Sequence, residues 1–179
     1  TEKSGRAYVQ VQQLDPWHGS ILPAILQRVT KIPVLEITAD IHLAPDHIYV
    51  IPSSKILTST DGVLQLTTRE KKILNLSIDV FFTSLAEVHK ELAAGVVLSG
   101  TGSDGTLGLK AIKEHGGITI AQDMQSAAYN DMPQHSVDAG VVAVILPPTE
   151  IPAHIRQTRN HYPQANGGEK AEPSPKKAS

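Results

Sequence analysis

The residues best suited to chemistry lie in a glycine-rich segment, Ser99–Gly105, whose single ionisable side chain is Asp104. A carboxylate held in such a turn can serve as a catalytic or ligand-binding group, or it can accept backbone N–H groups as the N-cap of the helix that follows. An N-cap aspartate could still serve catalysis. The turn alone therefore leaves both roles open for Asp104.

The flanking residues predict the elements that hold this turn. Val96–Leu98 is a short apolar run with glycines on either side, which is typical of a fully buried strand. After the turn, apolar residues recur at helical spacing from Leu107 to His115, and Gly116-Gly117 supplies a C-terminal stop. Asp104 is therefore predicted at the carboxyl end of a strand, where ligands and catalytic groups gather in open α/β folds.

A phosphate-binding role for the same glycines is one alternative. Gly100, Gly102 and Gly105 match the spacing G-x-G-x-x-G of a dinucleotide-binding turn. However, the next predicted strand, Ile118–Ala121, is followed by Gln122, so no acidic residue stands where a ribose would be bound. The segment also lacks the lysine of a P-loop. Nucleotide binding is accordingly disfavoured, and no cofactor is expected.

Composition excludes several other classes of function. The chain has no cysteine, and its 8 histidines include no close-set pair with a nearby carboxylate, so no metal site is expected. A net charge of −2 gives no electrostatic footprint for nucleic acid. No apolar run approaches the roughly 20 residues that span a bilayer, so membrane insertion is not expected. The polar start, Thr1–Arg6, does not resemble a signal peptide, and we expect a cytoplasmic location.

Predicted strands and helices alternate along the chain from Ala7 to Arg159. This alternation predicts an α/β fold with a mostly parallel sheet, helices on both faces, and an antiparallel hairpin at Asp61-Gly62. Residues 1–159 form the predicted domain. Residues 160–179 are polar and rich in Pro, Lys and Gly, which predicts a disordered tail or linker.

Longer stretches resemble the catalytic domain of chemotaxis-type (CheB-like) protein-glutamate methylesterases, especially the form fused to a methyltransferase in large sensory proteins. The similar segments, in order, are VQVQQLDPWHGSILPAILQR at 9–28, HLAPDHIYVIP at 42–52, SIDVFFTSLA at 77–86, GVVLSGTGSDGTLGLKAI at 95–112, AQD…AAYNDMP at 121–133 and VILPPTEI at 144–151. They cover nearly everything before Asn160. The resemblance implies a doubly wound, mostly parallel α/β sheet.

The resemblance also implies a chemistry and a set of site residues. The family hydrolyses receptor glutamate methyl esters, or deamidates receptor glutamines, with a serine nucleophile, a histidine base and an aspartate that orients the histidine. Asp104 matches the position of the aspartate. The site-lining positions that the resemblance implies are Thr101, Gly102, Ser103, Met132 and Pro133.

Two members of the family's triad have no match in this sequence. Gln13 stands at the position of the histidine, and a glutamine amide cannot act as a general base near neutral pH. The family's serine lies in a Gly-x-Ser-x-Gly-Gly turn upstream of the first matching segment, and Thr1–Arg6 contains no counterpart. We therefore expect a methylesterase-like domain that is inactive as it stands and lacks the family's N-terminal strand and nucleophile turn. A non-catalytic docking module in a sensory protein is the alternative.

Partners follow from the same resemblance. It implies a methyl-accepting chemotaxis receptor or a similar signalling protein as the partner, with a methyltransferase or regulatory domain as a possible fusion. Loss of the first strand would also leave an open sheet edge near Val96–Leu98, because an unpaired strand exposes its backbone N–H and C=O groups. We expect self-association or partner binding at that edge.

Overall fold

The computed structural model describes residues 4–12, 21–52, 55–68 and 76–158 of the chain. Within these ranges the strands are β1 (Ala7–Gln10), β2 (Val34–Glu36), β3 (Ile41–His42), β4 (His47–Val50), β5 (Lys55–Thr60), β6 (Val63–Thr68), β7 (Ala94–Val97), β8 (Ile118–Gln122) and β9 (Val144–Leu146). The helices are α1 (Leu22–Val29), α2 (Ser77–His89), α3 (Thr106–Glu114), α4 (Asp131–Asp138) and α5 (Ile151–Gln157), and a 3₁₀ turn, Lys90–Leu92, follows α2. This is an α/β fold, as the alternating pattern predicts.

The described parallel strands form two three-stranded sheets, with strand orders β1-β4-β2 and β7-β8-β9. All four pairings in these two sheets are parallel. In the second sheet Gly95 pairs with Thr119 and Val97 with Ala121, and in the neighbouring pairing Ile120 pairs with Val144. The carboxyl ends of β7 and β8 therefore lie at the same edge, next to the turn that carries Asp104.

The antiparallel part of the fold is built on the predicted hairpin. Strands β5 and β6 pair antiparallel across the Asp61-Gly62 turn, where both residues have positive φ. Such backbone angles match the twist of a tight hairpin, and glycine adopts them at no steric cost. The two-residue strand β3 pairs with the other side of β6, which gives the order β3-β6-β5. A strand this short leaves no periodic signal in the sequence, and the pattern alone did not predict it.

Strands β1 and β7 each pair on one side only among the described residues. The Ala93 carbonyl accepts the Ile118 N–H at the start of β8. Successive residues of a strand direct their backbone N–H and C=O groups to opposite sides, so Val96, three residues later, directs its groups away from β8. Among the described residues no strand pairs with this edge of β7, which is the edge predicted to be open near Val96–Leu98. The expectation of a fully buried strand is wrong, since Leu98 is 40% exposed and exposure alternates along β7.

Helix α2 packs on α3 and on β5, and α3 packs on β7 and β8, so both helices contribute to one shared core. The residues that form this core with Val97 and Ala121 include Phe81, Phe82, Ala86, Leu109 and Ile112. Partly buried side chains of β1, Ala7 and Val9, pack against the same cluster. The core therefore joins the two parallel sheets and fixes α2 and α3 beside the glycine-rich turn.

Candidate functional site

Asp104 lies in the turn between β7 and α3, and only 3% of it is exposed. Its Oδ2 accepts the Ile78 N–H at 3.0 Å, and its Oδ1 accepts the Asp79 N–H at 2.8 Å. These amides belong to the first turn of α2, whose N–H groups have no partner within the helix. Asp104 thus anchors the N-terminus of α2, where the helix dipole favours a negative charge.

Asp104 accepts backbone N–H groups at the start of a helix, as the N-cap interpretation predicts, but that helix is α2 and not the following helix α3. The N-cap of α3 is Gly105, with φ +97° and no side-chain hydrogen bond. A β-carbon at Gly105 would lie 3.0 Å from Ile78 Cγ2 and 3.2 Å from Val97 Cγ1. Glycine is required there both for its backbone angle and for its close approach to α2 and β7.

Asp79 makes the reciprocal contact from α2 to α3. Its Oδ1 accepts the Gly105 N–H at 2.9 Å and the Gly108 N–H at 2.7 Å. Asp79 is also buried, and this burial raises the pKa of its carboxyl group, while the hydrogen bond from Gly108 opposes the rise and the charge of Asp104 adds to it. Asp104 therefore caps α2, which carries Asp79, and Asp79 caps α3, which follows Asp104.

The three predicted lining residues before Asp104 form the exposed rim of the turn. Thr101, Gly102 and Ser103 are all exposed, whereas Asp104 and Gly105 beneath them are buried. Gly102 has φ +82°, a value that favours glycine. The Ser103 carbonyl accepts the Thr106 N–H at 3.2 Å and so joins the rim to the start of α3.

The segment before α4 is bound to the other side of the turn. Ser99 Oγ accepts the Tyr129 N–H at 2.9 Å, and the Tyr129 carbonyl accepts the Gly100 N–H at 3.0 Å. The Met132 N–H donates to the Gly100 carbonyl at 3.0 Å. Met132 and its neighbour Pro133 are buried. The structure therefore brings the predicted lining residues from both segments together around one turn.

The predicted base position, Gln13, lies outside the described residues.

Two residues near Asp104 were not predicted as site residues. An acidic residue in the first turn of a helix indicates only that it complements the helix dipole, and nothing local signals the contact of Asp79 with Gly105 and Gly108. Ser77, the first residue of α2, is 3% exposed, and its Oγ has no hydrogen-bond partner among the described residues. Two sequence signals could have pointed to this end of α2: a serine two residues before an aspartate at a helix start, and the family-like segment at 77–86.

A serine–histidine pair lies elsewhere, at the far end of α2. Ser59 Oγ and His89 Nε2 share a hydrogen bond of 3.0 Å. The N- and C-terminal ends of α2 are about 18 Å apart at 1.5 Å per residue, so this pair is not joined to Asp104. Ser59 is only 3% exposed and sits within β5, where a substrate carbonyl has no access to it. The pair is a buried structural contact.

We expect His89 to make the fold sensitive to mild acid. Burial lowers the pKa of His89 below its ordinary value of 6.5, so protonation favours the unfolded chain. The stability that His89 confers is complete above about pH 6.5 and is lost as pH falls toward the lowered pKa. The free energy of unfolding, measured with urea, should fall more between pH 7.5 and pH 5.5 in the wild type than in His89→Gln. The exposed His115→Gln is the matched control, and equal losses in all three proteins would refute the assignment.

Across 4–12, 21–52, 55–68 and 76–158, no group of three or more His, Asp or Glu side chains is placed to hold a metal ion. No helix in this part of the chain is long and apolar enough to cross a membrane.

Comparison with known proteins identifies the family. The family model described as "CheB methylesterase" matches residues 1–155. The chain is 36% identical over 154 residues to a protein-glutamate methylesterase/protein-glutamine glutaminase of Carboxydothermus hydrogenoformans, covering 82% of this chain and 45% of that protein. It is 37% identical over 134 residues to the protein-glutamate methylesterase FrzG of Myxococcus xanthus, covering 74% of this chain and 40% of FrzG.

A solved structure and a larger relative extend this comparison. The crystal structure of the Thermotoga maritima CheB methylesterase catalytic domain superposes with a TM-score of 0.74 at 25% identity, covering 85% of this chain and 82% of that one. An uncharacterized 104.1 kDa protein of Rhodobacter capsulatus is 40% identical over 121 residues, which are 68% of this chain and 13% of that protein. The chain therefore spans less than half the length of each of these three sequence relatives. By sequence along nearly its whole described length, and by fold, the chain belongs to the CheB methylesterase family.

Proposed function

We propose that this chain is the acid-bearing part of a CheB-type protein-glutamate methylesterase domain in chemotaxis signalling. The observation that carries the proposal is the Asp104 carboxylate, buried at the carboxyl end of β7 and held by two backbone N–H groups of α2. In a serine hydrolase the acid must hold a histidine in one tautomer and orientation. A carboxylate fixed by the backbone of a neighbouring helix meets that need.

The proposed substrate class is the glutamate methyl ester of a methyl-accepting chemotaxis receptor or a similar signalling protein. Hydrolysis converts the ester to a carboxylate and methanol, and deamidation of a glutamine releases ammonia in the same way. The exposed rim of Thr101, Gly102 and Ser103 is where a receptor segment would approach. Such a partner implies a cytoplasmic location.

We further propose that the 179 residues do not complete the reaction on their own. Gln13 occupies the position of the base, and its amide cannot take a proton from a nucleophile near neutral pH. The sequence also contains no Gly-x-Ser-x-Gly-Gly turn to supply the nucleophile. A triad without either group loses turnover by factors on the order of a million.

Strands β1 and β7 each have one edge with which no described strand pairs, and these two edges support the proposal that residues 1–159 lack the family's N-terminal strand. The Gln10 carbonyl accepts the Ile51 N–H next to β4, so Val9 directs its backbone groups away from that sheet. Val96 does the same on β7. Both strands pack on the common core, so one further parallel strand could pair with both edges. A second copy of the chain that pairs with the edge of β7 is the alternative to this added strand.

A non-catalytic docking module is the second candidate function. The observation that favours it is Gln13, because this replacement lies within the chain and no added segment restores the histidine. A domain of this kind can stand within a much larger protein, since the matched region is 13% of the Rhodobacter capsulatus relative. A fused methyltransferase or regulatory domain would then be among the partners.

Methanol release from a glutamate-methylated receptor tests the proposed inactivity. We expect the 179-residue chain, its Asp104→Asn variant and its Gln13→His variant all to match the rate of a protein-free blank, because the base and nucleophile are not both present in any of them. Binding of the receptor to the same chain should still be measurable by calorimetry. Turnover by the unmodified chain that Asp104→Asn abolishes would overturn the proposal.

A further inference from the structure

The geometry points to Asp79 as a positioning residue for Asp104, one that holds both the carboxylate and the turn that carries it. This inference rests on the proposed function, because only there does Asp104 act as the acid of a hydrolase. Asp79 itself would touch neither substrate nor the reacting atoms. Its role would be to fix where the Asp104 carboxylate points.

Asp79 contacts Asp104 by two independent routes. Its main-chain N–H donates to Asp104 Oδ1 at 2.8 Å. Its side-chain Oδ1 accepts the N–H of Gly105, the residue that follows Asp104, at 2.9 Å, and the N–H of Gly108 at 2.7 Å. One residue thus fixes the carboxylate directly and fixes the peptide next to it, so rotation or translation of the turn would break hydrogen bonds at both places.

The burial of the pair makes these contacts strong. Asp79 is 8% exposed and Asp104 is 3% exposed, so water does not compete freely for either carboxylate. Backbone N–H groups at the N-termini of α2 and α3 donate to both carboxylates, and the dipoles of these two helices favour a negative charge there.

Gly108 allows the first turn of α3 to reach Asp79. A β-carbon at Gly108 would lie 3.2 Å from Asp79 Cα and 2.4 Å from Phe82 Cβ. No larger residue fits at that crossing without separating the two helices. The closeness of α2 and α3 is thus what places the Asp79 carboxylate beside the amides of Gly105 and Gly108.

Amide NMR of the full chain tests the inference, because each hydrogen bond has its own reporter. The Ile78 and residue-79 amides report the bonds to Asp104, and the Gly105 and Gly108 amides report the bonds to Asp79. The variants are Asp79→Ala, which removes the acceptor, and Asp79→Asn, which keeps an acceptor oxygen without the charge. Ser84→Ala is the matched control, because Ser84 Oγ donates to the Phe81 carbonyl and accepts the Ser59 N–H, and both partners lie away from the turn.

A positioning role predicts a loss at all four amides in Asp79→Ala. We expect upfield shifts and a fall in hydrogen-exchange protection on the order of tenfold at Ile78 and residue 79, although neither loses its own N–H. Asp79→Asn should retain all four signals, and Ser84→Ala should leave them unchanged. Loss confined to Gly105 and Gly108 in Asp79→Ala would overturn the inference, since Asp79 would then only cap α3.

The outcome remains decisive if Asp79→Ala does not fold. In Asp79→Asn, intact Gly105 and Gly108 signals together with lost Ile78 and residue-79 signals would overturn the inference, and retention of all four would support it. None of these readouts needs ester turnover. Failure of the proposed function in the methanol assay would therefore leave the amide result standing, and the two failures are distinguishable.

Discussion

Gly108→Ala is expected to lower the free energy of unfolding by about 3 kcal/mol, the upper end of the usual cost of overpacking a core. The added methyl group would lie 2.4 Å from Phe82 Cβ and 3.2 Å from the Asp79 backbone, and neither atom is the free end of a flexible side chain. Helices α2 and α3 must then separate. Their separation would also weaken the hydrogen bonds from Gly105 and Gly108 to Asp79.

The sign of this prediction is what makes it informative. In an ordinary helix interior, glycine to alanine stabilises by roughly 0.5–1 kcal/mol, because alanine has less backbone entropy to lose. Urea unfolding followed by circular dichroism measures the difference, with Lys110→Ala on the exposed side of α3 as the control that should change little. A Gly108→Ala chain as stable as the wild type would show that the two helices are not in the close contact described here.

The sequence was sufficient to predict the unit around Asp104 because its signals are local. Glycines bound the strand and the turn, helical spacing marks α3, and the observed elements β7 and α3 fall within two residues of the predicted ones at each end. The Asp61-Gly62 hairpin was predicted for the same reason. Patterns of this kind depend on neighbouring residues alone.

Features that depend on distant residues could not be predicted. Asp104 binds amides 25 and 26 positions away, and a local pattern cannot distinguish a cap for its own helix from a cap for another. The apolar run Val141–Leu146 has the composition of one strand, but only Val144–Leu146 forms it, because Val141 and Val142 precede the pairing with β8. The exposure of Leu98 likewise depends on which strands pair with β7. The apolar character of Leu98 alone does not indicate those neighbours.

The family resemblance supplied what the local patterns could not. It assigned Asp104 to the acid position and indicated that Met132 and Pro133 lie near the turn, and the structure places Met132 against Gly100. Resemblance did not indicate Asp79, whose partners become visible only when α2 and α3 are packed together. The buried environment of Asp104 is therefore a product of helix packing as much as of the glycine-rich turn.

The most direct measurement of the central claim uses a chimera with the Thermotoga maritima CheB methylesterase catalytic domain, whose fold matches this chain. Residues 76–114 of this chain, which contain α2, β7, α3 and the Asp104 turn, would replace the corresponding segment. We expect the chimera to release methanol from glutamate-methylated receptor, because the host supplies the nucleophile and the base. Asp104→Asn in the chimera should lower turnover roughly 10⁴-fold, the size of the effect when a triad aspartate becomes asparagine. A folded chimera whose turnover is unchanged by Asp104→Asn would contradict the assignment of Asp104 as the acid.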